Sequence, residues 1–407
     1  MLPKMETTSK STQKQINSIR RFAKPIGETY SLHTAVCKTA VKWVLAILAQ
    51  DNLAHEGKKD DPDMQVNRRD KHGYLPIHWA VSKNFSSTTD KKVKDNISIL
   101  KLLLQYPNSN QACRDGKTVL HWAVWSRHLK AASIILKYFK NYRKKFLYFL
   151  QQKDNDSFTA LHYAVDRDEK GNYTETDLKI LQTLLEYSGV HIDTQDNNGM
   201  TILHWAVANN NLEAVKAILK HAKATMPYED YKEFVQKKTF INQQPKEGSC
   251  PAIYWAISTG YEEEEEEEDI QVFRTTSLKI FNLLLHTVPI HDAYGINYQD
   301  HQGYTMAHWA VVQGRDDILQ VLIKHNADLS LKDNKGYTIS KTLTQAIAAA
   351  YNQKKWRLIE HLTKRDDSIL NQLSSLASSK KGEQSNKRPS SEKERPFKKR
   401  LHLEQFE

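Results

Sequence analysis

The chain has 407 residues, of which 39% are hydrophobic and 26% charged, and its 59 Lys and Arg residues outnumber its 48 Asp and Glu residues. This length is sufficient for two or three globular domains. The longest apolar run, residues 40–49, is interrupted by Lys42, so we expect no transmembrane helix. The three cysteines, Cys37, Cys113 and Cys250, are odd in number, which favours a reducing compartment without a disulfide framework.

The net charge of +11 is concentrated at the two ends of the chain. Residues 1–25 contain six Lys or Arg and one Glu, and residues 377–407 contain nine Lys or Arg and five Glu. The remainder is therefore nearly neutral on average. This average argues against nucleic-acid binding, which requires a basic face on the folded domain. The polar N-terminal segment, residues 1–24, contains no apolar signal-peptide core.

A tetrapeptide recurs along the middle of the chain. His-Trp-Ala-Val begins at His78, His121, His204 and His308, and variants of it begin at His33, His162 and Tyr254. Self-similarity at a spacing of tens of residues is typical of a solenoid, in which each repeat buries its apolar face against its neighbours.

The residues around the tetrapeptide also recur. The pattern Asp-x-x-Gly-x-Thr-x-apolar-His spans residues 196–204 and 300–308. Asp or Asn followed by Gly favours a tight turn, and the Thr three residues before the His is placed to cap a helix. A second segment of helical apolar periodicity follows, as in residues 212–219. Each unit is therefore predicted to be turn, helix, turn, helix. The structural motif residues are Thr118, His121, Thr159, His162, Thr201, His204, Thr305 and His308.

These units resemble ankyrin repeats, whose consensus carries Thr-Pro-Leu-His-x-Ala in about 33 residues. The unit from Gly303 to Gly336 has that period, with Gly314 between its helices. The resemblance implies an all-α fold, an ankyrin-type solenoid of stacked helix-turn-helix repeats with short β-turn or hairpin connections. We expect about seven repeats and a C-terminal cap in residues 28–363. A basic, flexible segment at residues 1–27 precedes them, and a disordered basic tail at residues 364–407 follows.

The repeats depart from the family in length. Their key positions are 45, 43, 41, 42, 50 and 54 residues apart, all above the family period. The repeats at His78, His162 and Tyr254 are lengthened between their helices, and those at His121 and His204 after the second helix. Such insertions often form a binding face, but neutral loop growth is equally compatible with them.

The repeated histidines do not predict a metal site. Helices pack roughly 8–10 Å apart, so one His per repeat does not bring two imidazoles within about 2 Å of one zinc ion. We expect each His to tie its helix start to the neighbouring turn. No catalytic motif and no cofactor site is evident.

An aromatic residue follows each key position and is expected to form a stripe. One interpretation is structural, with large rings thickening the core between repeats and each indole N–H finding a partner. The other is a partner-binding ladder on the concave face, because Trp and Tyr are favoured at interaction hot spots. The stripe residues are Trp79, Trp122, Tyr163, Trp205, Trp255 and Trp309.

Two charged segments lie outside the repeat pattern. The acidic run at residues 262–269 lies within an insertion and is predicted to be a solvated loop or a docking point for a basic partner. The C-terminal tail resembles a bipartite nuclear localisation signal through Lys387, Arg388, Lys398, Lys399 and Arg400. Basic clusters of this kind are common false positives.

The most favoured function is a non-enzymatic protein–protein interaction scaffold, which we expect to be a monomer without cofactor, metal or membrane partner. Irregular repeats and a Lys-, Asn- and Gln-rich composition suggest, by analogy only, a bacterial effector secreted into a host cell. Its location is then expected to be intracellular, in the cytosol or nucleus. The alternatives are an enzyme with its active site in the insertions, or a DNA- or chromatin-binding regulator that uses the basic tails.

Overall fold

The computed structural model describes thirteen stretches of the chain: residues 31–55, 58, 61, 63–82, 90–106, 111–140, 143–166, 173–187, 191–236, 251–257, 267–287, 295–300 and 302–342. The chain divides into two compact units. The first comprises Met1–Asn197 with Ala217–His221, and the second comprises Asn198–Lys216 with Ala222–Glu407. The predicted N-terminal segment, acidic run and basic tail lie wholly or mainly outside the described residues.

The first unit is built from helix pairs. Its helices are α1 (Leu32–Cys37), α2 (Val41–Ala54), α3 (Pro76–Trp79), α4 (Asp90–Leu103), α5 (Val119–Trp125), α6 (Leu129–Lys140), α7 (Arg143–Leu150), α8 (Ala160–Ala164) and α9 (Glu175–Leu185). A 3₁₀ turn at Gln65–Asn67 precedes α3. The short helices α1, α3, α5 and α8 pack in succession, and the longer helices α2, α4, α6 and α9 form a second row.

The second unit repeats this arrangement. Its helices are α10 (Ile202–Ala208), α11 (Leu212–Thr225), of which residues 217–221 group with the first unit, α12 (Tyr228–Gln236), α13 (Ala252–Trp255), α14 (Glu267–Leu285), α15 (Met306–Val312) and α16 (Asp316–Lys324). Helix α10 packs on α13, α13 on α14, α14 on α16 and α15 on α16. The all-α class and the predicted helix-turn-helix unit are thereby confirmed.

The tetrapeptide explains why the first helices pack closely. Ala80, Ala123 and Ala206 follow the key His by two residues and are buried. An alanine side chain leaves room for a neighbouring helix, and the large apolar residues before the His fill the space on either side. In the repeats at His121 and His204 these are Leu120 and Leu203, both buried.

Four of the first helices, α1, α5, α10 and α15, are followed by a left-handed residue. Thr39, Arg127 and Asn210 have φ values of 54°, 58° and 51°, and Gly314 has φ of 63° at the same place in the last repeat. A residue in this region stops the helix and turns the chain toward the second helix. The three non-glycine residues adopt a conformation that disfavours most side chains, so tertiary contacts hold them there. Asn210 Nδ2 donates to the Phe273 carbonyl at 2.9 Å.

Two of the insertions form additional helices, α7 and α12. In the first unit, α7 packs on α6 with the rings of Phe139 and Phe149 4.1 Å apart. Phe146 of α7 also contacts Tyr187, just beyond α9, at 5.3 Å. In the second unit, the side chain of Tyr231 on α12 hydrogen-bonds Thr287, just beyond α14. Each additional helix therefore covers the end of the second helix in the repeat that follows it.

Candidate interaction site

The key histidines connect each repeat to the next. His121 is almost fully buried, and its Nδ1 lies 3.1 Å from the Thr118 amide nitrogen and 2.8 Å from the Thr118 hydroxyl. Its Nε2 lies 3.1 Å from the Phe158 carbonyl oxygen of the following repeat. Since Nδ1 faces an N–H donor, it is the acceptor, and Nε2 carries the proton that is donated to the carbonyl.

Both halves of this geometry recur at His78 and His308, and one half recurs at His33, His162 and His204. His78 Nε2 lies 3.2 Å from the Lys117 carbonyl, His33 Nε2 lies 2.9 Å from the Tyr74 carbonyl, and His308 Nε2 lies 3.4 Å from the Tyr337 carbonyl. The Nδ1 atoms accept from the amide of the helix N-cap in His78, His162, His204 and His308. The predicted motif residues Thr159, Thr201 and Thr305 occupy these N-caps.

Burial keeps the imidazoles of His78 and His121 neutral at neutral pH. It lowers the pKa of His78 to about 4 and that of His121 to about 4, although hydrogen bonds to the Lys117 and Phe158 carbonyls act in the opposite direction. Burial also lowers the pKa of His308. Within the described residues no three His, Cys, Asp or Glu side chains gather in a metal-binding arrangement. The histidines are therefore placed as hydrogen-bonding elements of the core.

In four repeats a carboxylate organises the turn, at Asp70, Asp154, Asp300 and Asp333. Asp300 Oδ1 accepts from the Gln302 and Tyr304 amides at 2.9 and 2.8 Å. Asp154 and Asp333 form the same pair of bonds with the amides two and four residues later. The turn glycines approach the next turn closely. A Cβ on Gly303, which has φ of 77°, would lie 2.6 Å from the Asn334 amide nitrogen.

The second oxygen of the same carboxylate holds the aromatic stripe. Trp79 Nε1 donates to Asp70 Oδ2 at 2.9 Å, and Trp309 Nε1 donates to Asp300 Oδ2 at 2.8 Å. Tyr163 makes the equivalent contact through its hydroxyl, which lies 2.5 Å from Asp154 Oδ2. Each carboxylate thus fixes the turn with one oxygen and a ring nine residues later with the other.

The electrostatics of Asp70 fit this arrangement. Partial burial tends to raise the pKa of Asp70, but hydrogen bonds from the Tyr74 amide, the Trp79 indole and the His72 amide outweigh it. The pKa of Asp70 therefore lies below its ordinary value, and the carboxylate is ionised at neutral pH. An ionised acceptor forms a stronger hydrogen bond with an indole than a neutral one.

The repeat at His121 lacks the carboxylate. Cys113 occupies the position nine residues before Trp122, and the turn backbone keeps its form, with the Gly116 amide donating to the Cys113 carbonyl at 3.0 Å. The buried Nε1 of Trp122 has no hydrogen-bond acceptor among the described residues. Trp122 is therefore held by ring contacts alone.

Those contacts connect four aromatic residues of the first unit. The Trp122 ring lies 5.1 Å from Tyr74 and 5.3 Å from Trp125, both edge to face, and Tyr74 lies 6.1 Å from Trp79. Trp125 is 36% exposed. All six stripe residues are half-buried, each with part of its ring open to solvent. In the second unit the Trp309 ring lies 5.7 Å from Tyr304.

The sequence contains a signal for the carboxylate link that the motif analysis missed. An Asp stands nine residues before the aromatic residue at Asp70, Asp154, Asp196 and Asp300, and Cys113 breaks the pattern. The predicted nuclear signal at Lys387, Arg388, Lys398, Lys399 and Arg400 lies outside the described residues. No described helix is both long and apolar enough to cross a bilayer.

Family profiles match three parts of the chain. "Ankyrin repeats (3 copies)" matches residues 32–146, "Ankyrin repeats (many copies)" matches residues 173–219, and "Ankyrin repeat" matches residues 302–331. A putative ankyrin repeat protein of fowlpox virus, FPV223, is 33% identical over 145 residues, which are 30% of this chain and 96% of the viral protein. The chain belongs to the ankyrin repeat family. Ankyrin repeats indicate a protein–protein interaction scaffold.

Other similarities are more distant. Human inversin is 23% identical over 262 residues, covering 64% of this chain but only 19% of inversin, so the chain corresponds to a small part of that relative. Among solved structures, the ankyrin repeat domain of Bcl-3 is 19% identical and covers 77% of this chain and 94% of its own, with a TM-score of 0.38.

Proposed function

We propose that this ankyrin repeat chain is a non-enzymatic module that binds a protein partner through the stripe residues of its first unit, Trp79, Trp122 and Tyr163, with Trp122 and Trp125 at the centre of the contact. The observation that carries the proposal is the set of half-exposed rings held in fixed positions. Trp and Tyr are the residue types most enriched among interaction hot spots.

Fixed rings favour binding because less conformational freedom is lost when the partner arrives. The bonds from Trp79 to Asp70 and from Tyr163 to Asp154 set the ring positions before binding. Trp125 adds an exposed ring next to Trp122, at the end of α5. The surface at Trp122 and Trp125 therefore combines apolar area with ring contacts to Tyr74 and to each other.

The experiment places a photoreactive benzoylphenylalanine at position 125 and, as control, at Tyr228, which is 58% exposed on α12. We expect position 125 to cross-link a defined protein in cells and position 228 not to do so. In addition, Trp125→Ala should release that protein while leaving the melting curve unchanged. Equal cross-linking from both positions, or retention of the partner by Trp125→Ala, would contradict the proposal.

The cellular setting is a separate proposal. Nuclear import rests on the basic clusters of the tail, and the effector role rests on composition and analogy alone. Nuclear import and the effector role are thus supported by sequence features, and a fluorescent fusion protein tests nuclear import.

A further inference from the structure

The positive charge of the first unit is unevenly distributed. Between Asp115 and Asp154 the sequence contains no acidic residue, although the average over the repeats is close to neutral. The same 38 residues, 116–153, contain nine cations: Lys117, Arg127, Lys130, Lys137, Lys140, Arg143, Lys144, Lys145 and Lys153. This segment contains α5, α6 and α7.

Part of this charge lies on α4 and α6, two neighbouring helices of the second row. Lys130, Lys137 and Lys140 are exposed on α6, and Lys94 and Lys101 are exposed on α4, which packs against α6. A seven-residue step along a helix is about 10 Å, and packed helices lie about 8–10 Å apart. Lys94 and Lys101, and likewise Lys130 and Lys137, therefore lie on the same side of their helix, about 10 Å apart along it. We call these five lysines the lysine face.

Acidic groups near the lysine face are few. Asp95 on α4 is half-buried, and Glu175 and Glu186 lie at the two ends of α9, which packs against α6. Glu175 is engaged by Lys179 at 2.7 Å, and Arg127 is engaged by the buried Asp177. Within the described part of the chain, Lys94, Lys101, Lys130 and Lys137 have no carboxylate within ion-pair distance. No described carboxylate therefore neutralises their charge.

Exposed apolar side chains flank the lysine face. Leu45 and Leu53 on α2 are 38% and 53% exposed, and Tyr148 on α7 is 70% exposed. Helix α2 packs against α4, and α7 packs against α6. Both flanks of the lysine face thus carry apolar or aromatic side chains in contact with solvent.

We propose that the lysine face binds the surface of a bilayer that contains anionic lipids. Lysines attract acidic headgroups without requiring a fixed partner geometry, and exposed Leu and Tyr side chains enter the headgroup and acyl boundary. A nucleic acid would also bind the lysines, but Leu45 and Leu53 would not contribute to that binding. Phosphate groups of nucleic acids also favour the bidentate contacts of arginine over those of lysine. The expectation of no membrane partner was based on the lack of an apolar run long enough to span a bilayer, which does not describe binding to a bilayer surface.

The test measures sedimentation of the full chain with vesicles of pure phosphatidylcholine and of phosphatidylcholine with about a third phosphatidylserine. Each lysine at such a surface contributes roughly fivefold to binding. We therefore expect Lys130→Gln with Lys137→Gln to weaken binding to the anionic vesicles about twentyfold. Binding to neutral vesicles should stay low throughout, and salt should weaken binding to the anionic ones.

Two matched variants remove the same charge elsewhere. Lys220→Gln with Lys223→Gln changes exposed lysines of α11, in line with Lys137 and Lys140 when the repeats are aligned. Lys398→Gln with Lys399→Gln changes the basic tail. We expect less than a threefold effect from either pair. If all three double variants lose affinity equally, binding follows net charge and the lysine face is not a site.

Two further arms decide the kind of partner. Leu45→Ser with Leu53→Ser should weaken binding to anionic vesicles several-fold at constant charge, and no loss would overturn the lipid assignment. A 30-base-pair duplex at the same ionic strength tests the nucleic-acid alternative. Tighter binding to the duplex than to anionic vesicles, lost in the Lys130 and Lys137 variant, would also overturn it. Thermal melts of every variant confirm that the fold is retained.

Discussion

The indole nitrogen of Trp309 lies 2.8 Å from Oδ2 of Asp300, nine residues earlier in the chain. The other oxygen of the same carboxylate holds the turn that leads into the helix on which Trp309 lies. One side chain therefore fixes both the start of a repeat and the ring that the repeat presents to solvent.

Replacing Asp300 by Asn separates these two roles. The Asn oxygen still accepts from the turn amides, but its amide group faces the indole donor. We expect the free energy of unfolding to fall by about 1–3 kcal/mol, the range for a hydrogen bond to a charged group. Denaturant unfolding measures it. In a Trp309→Phe background, the same substitution should lower the free energy of unfolding much less. An equal decrease in both backgrounds would disprove the contribution of the Asp300–Trp309 hydrogen bond.

The repeat at His121 allows the reverse change. Cys113→Asp supplies the carboxylate that Trp122 lacks, in a turn whose backbone already has the required form. We expect a gain in stability of about 1 kcal/mol, because desolvation of the new carboxylate offsets part of the hydrogen bond. The gain should disappear when Trp122 is also changed to Phe. A loss of stability would mean that the buried site does not tolerate the charge.

The buried histidines make the protein sensitive to acid. His78 and His121 have folded-state pKa values of about 4, below the ordinary value of 6.5. Because folding lowers the pKa of these histidines, the unfolded state takes up protons at a higher pH than the folded state does. The stabilising contribution of each neutral histidine is therefore complete above pH 6.5 and is lost as pH falls toward 4. The loss approaches about 3 kcal/mol for each histidine.

This pH dependence is measured by urea unfolding at several pH values between 8 and 4. Asp70 also lowers the free energy of unfolding as pH falls, but at lower pH than the histidines. Its pKa is lowered in the folded state, so its stabilising contribution is lost only when the carboxylate is protonated. A flat profile between pH 6.5 and 4.5 would contradict the neutral state assigned to the two histidines.

The stripe residues should differ in what they contribute. Trp205→Ala is expected to lower the free energy of unfolding by about 2–3 kcal/mol, less than a fully buried tryptophan, because Trp205 is half-buried. Trp125→Ala should change it by less than about 1 kcal/mol, as expected for an exposed position. Thermal and urea unfolding of both variants test this order, and a larger effect at Trp125 would reverse it.

The basic tail gives a localisation prediction. The full chain, fused to a fluorescent protein array too large to diffuse through the nuclear pore, should concentrate in the nucleus of a eukaryotic cell. Changing Lys398, Lys399 and Arg400 to Ala should shift it to the cytosol, because import receptors bind the basic charges. Microscopy measures the nuclear fraction. Cytosolic fluorescence of the unmutated fusion would remove the nuclear claim.

The helix pairs were predictable because their information is local. The apolar period, the N-cap Thr and the turn Gly all lie within a few residues of the helices that they define. The stripe was less predictable, since the two interpretations differ in how deeply the rings are buried. A residue directly after the buried His lies about 100° further round the helix, at the border of the buried face, and the structure places all six rings there.

The additional helices were seen in the sequence only as insertions. An eight-residue segment such as Arg143–Leu150 contains apolar residues without indicating what they cover. Its partner, Tyr187, is about 40 residues away in the chain. Contacts over that separation depend on how the repeats stack, and the residues within the segment do not encode them.

Helices α7 and α12 make the repeats differ from one another, because some repeats carry an additional helix and the next ones are covered by it. This difference limits how the chain can change in length. Each helix belongs to one repeat and covers the end of the next, at Tyr187 and at Thr287. Deletion of the following repeat alone would remove the end that the additional helix covers, whereas deletion of the two repeats together would remove the helix and its partner at once. Genes that encode chains of this design are therefore expected to grow and shrink by pairs of repeats.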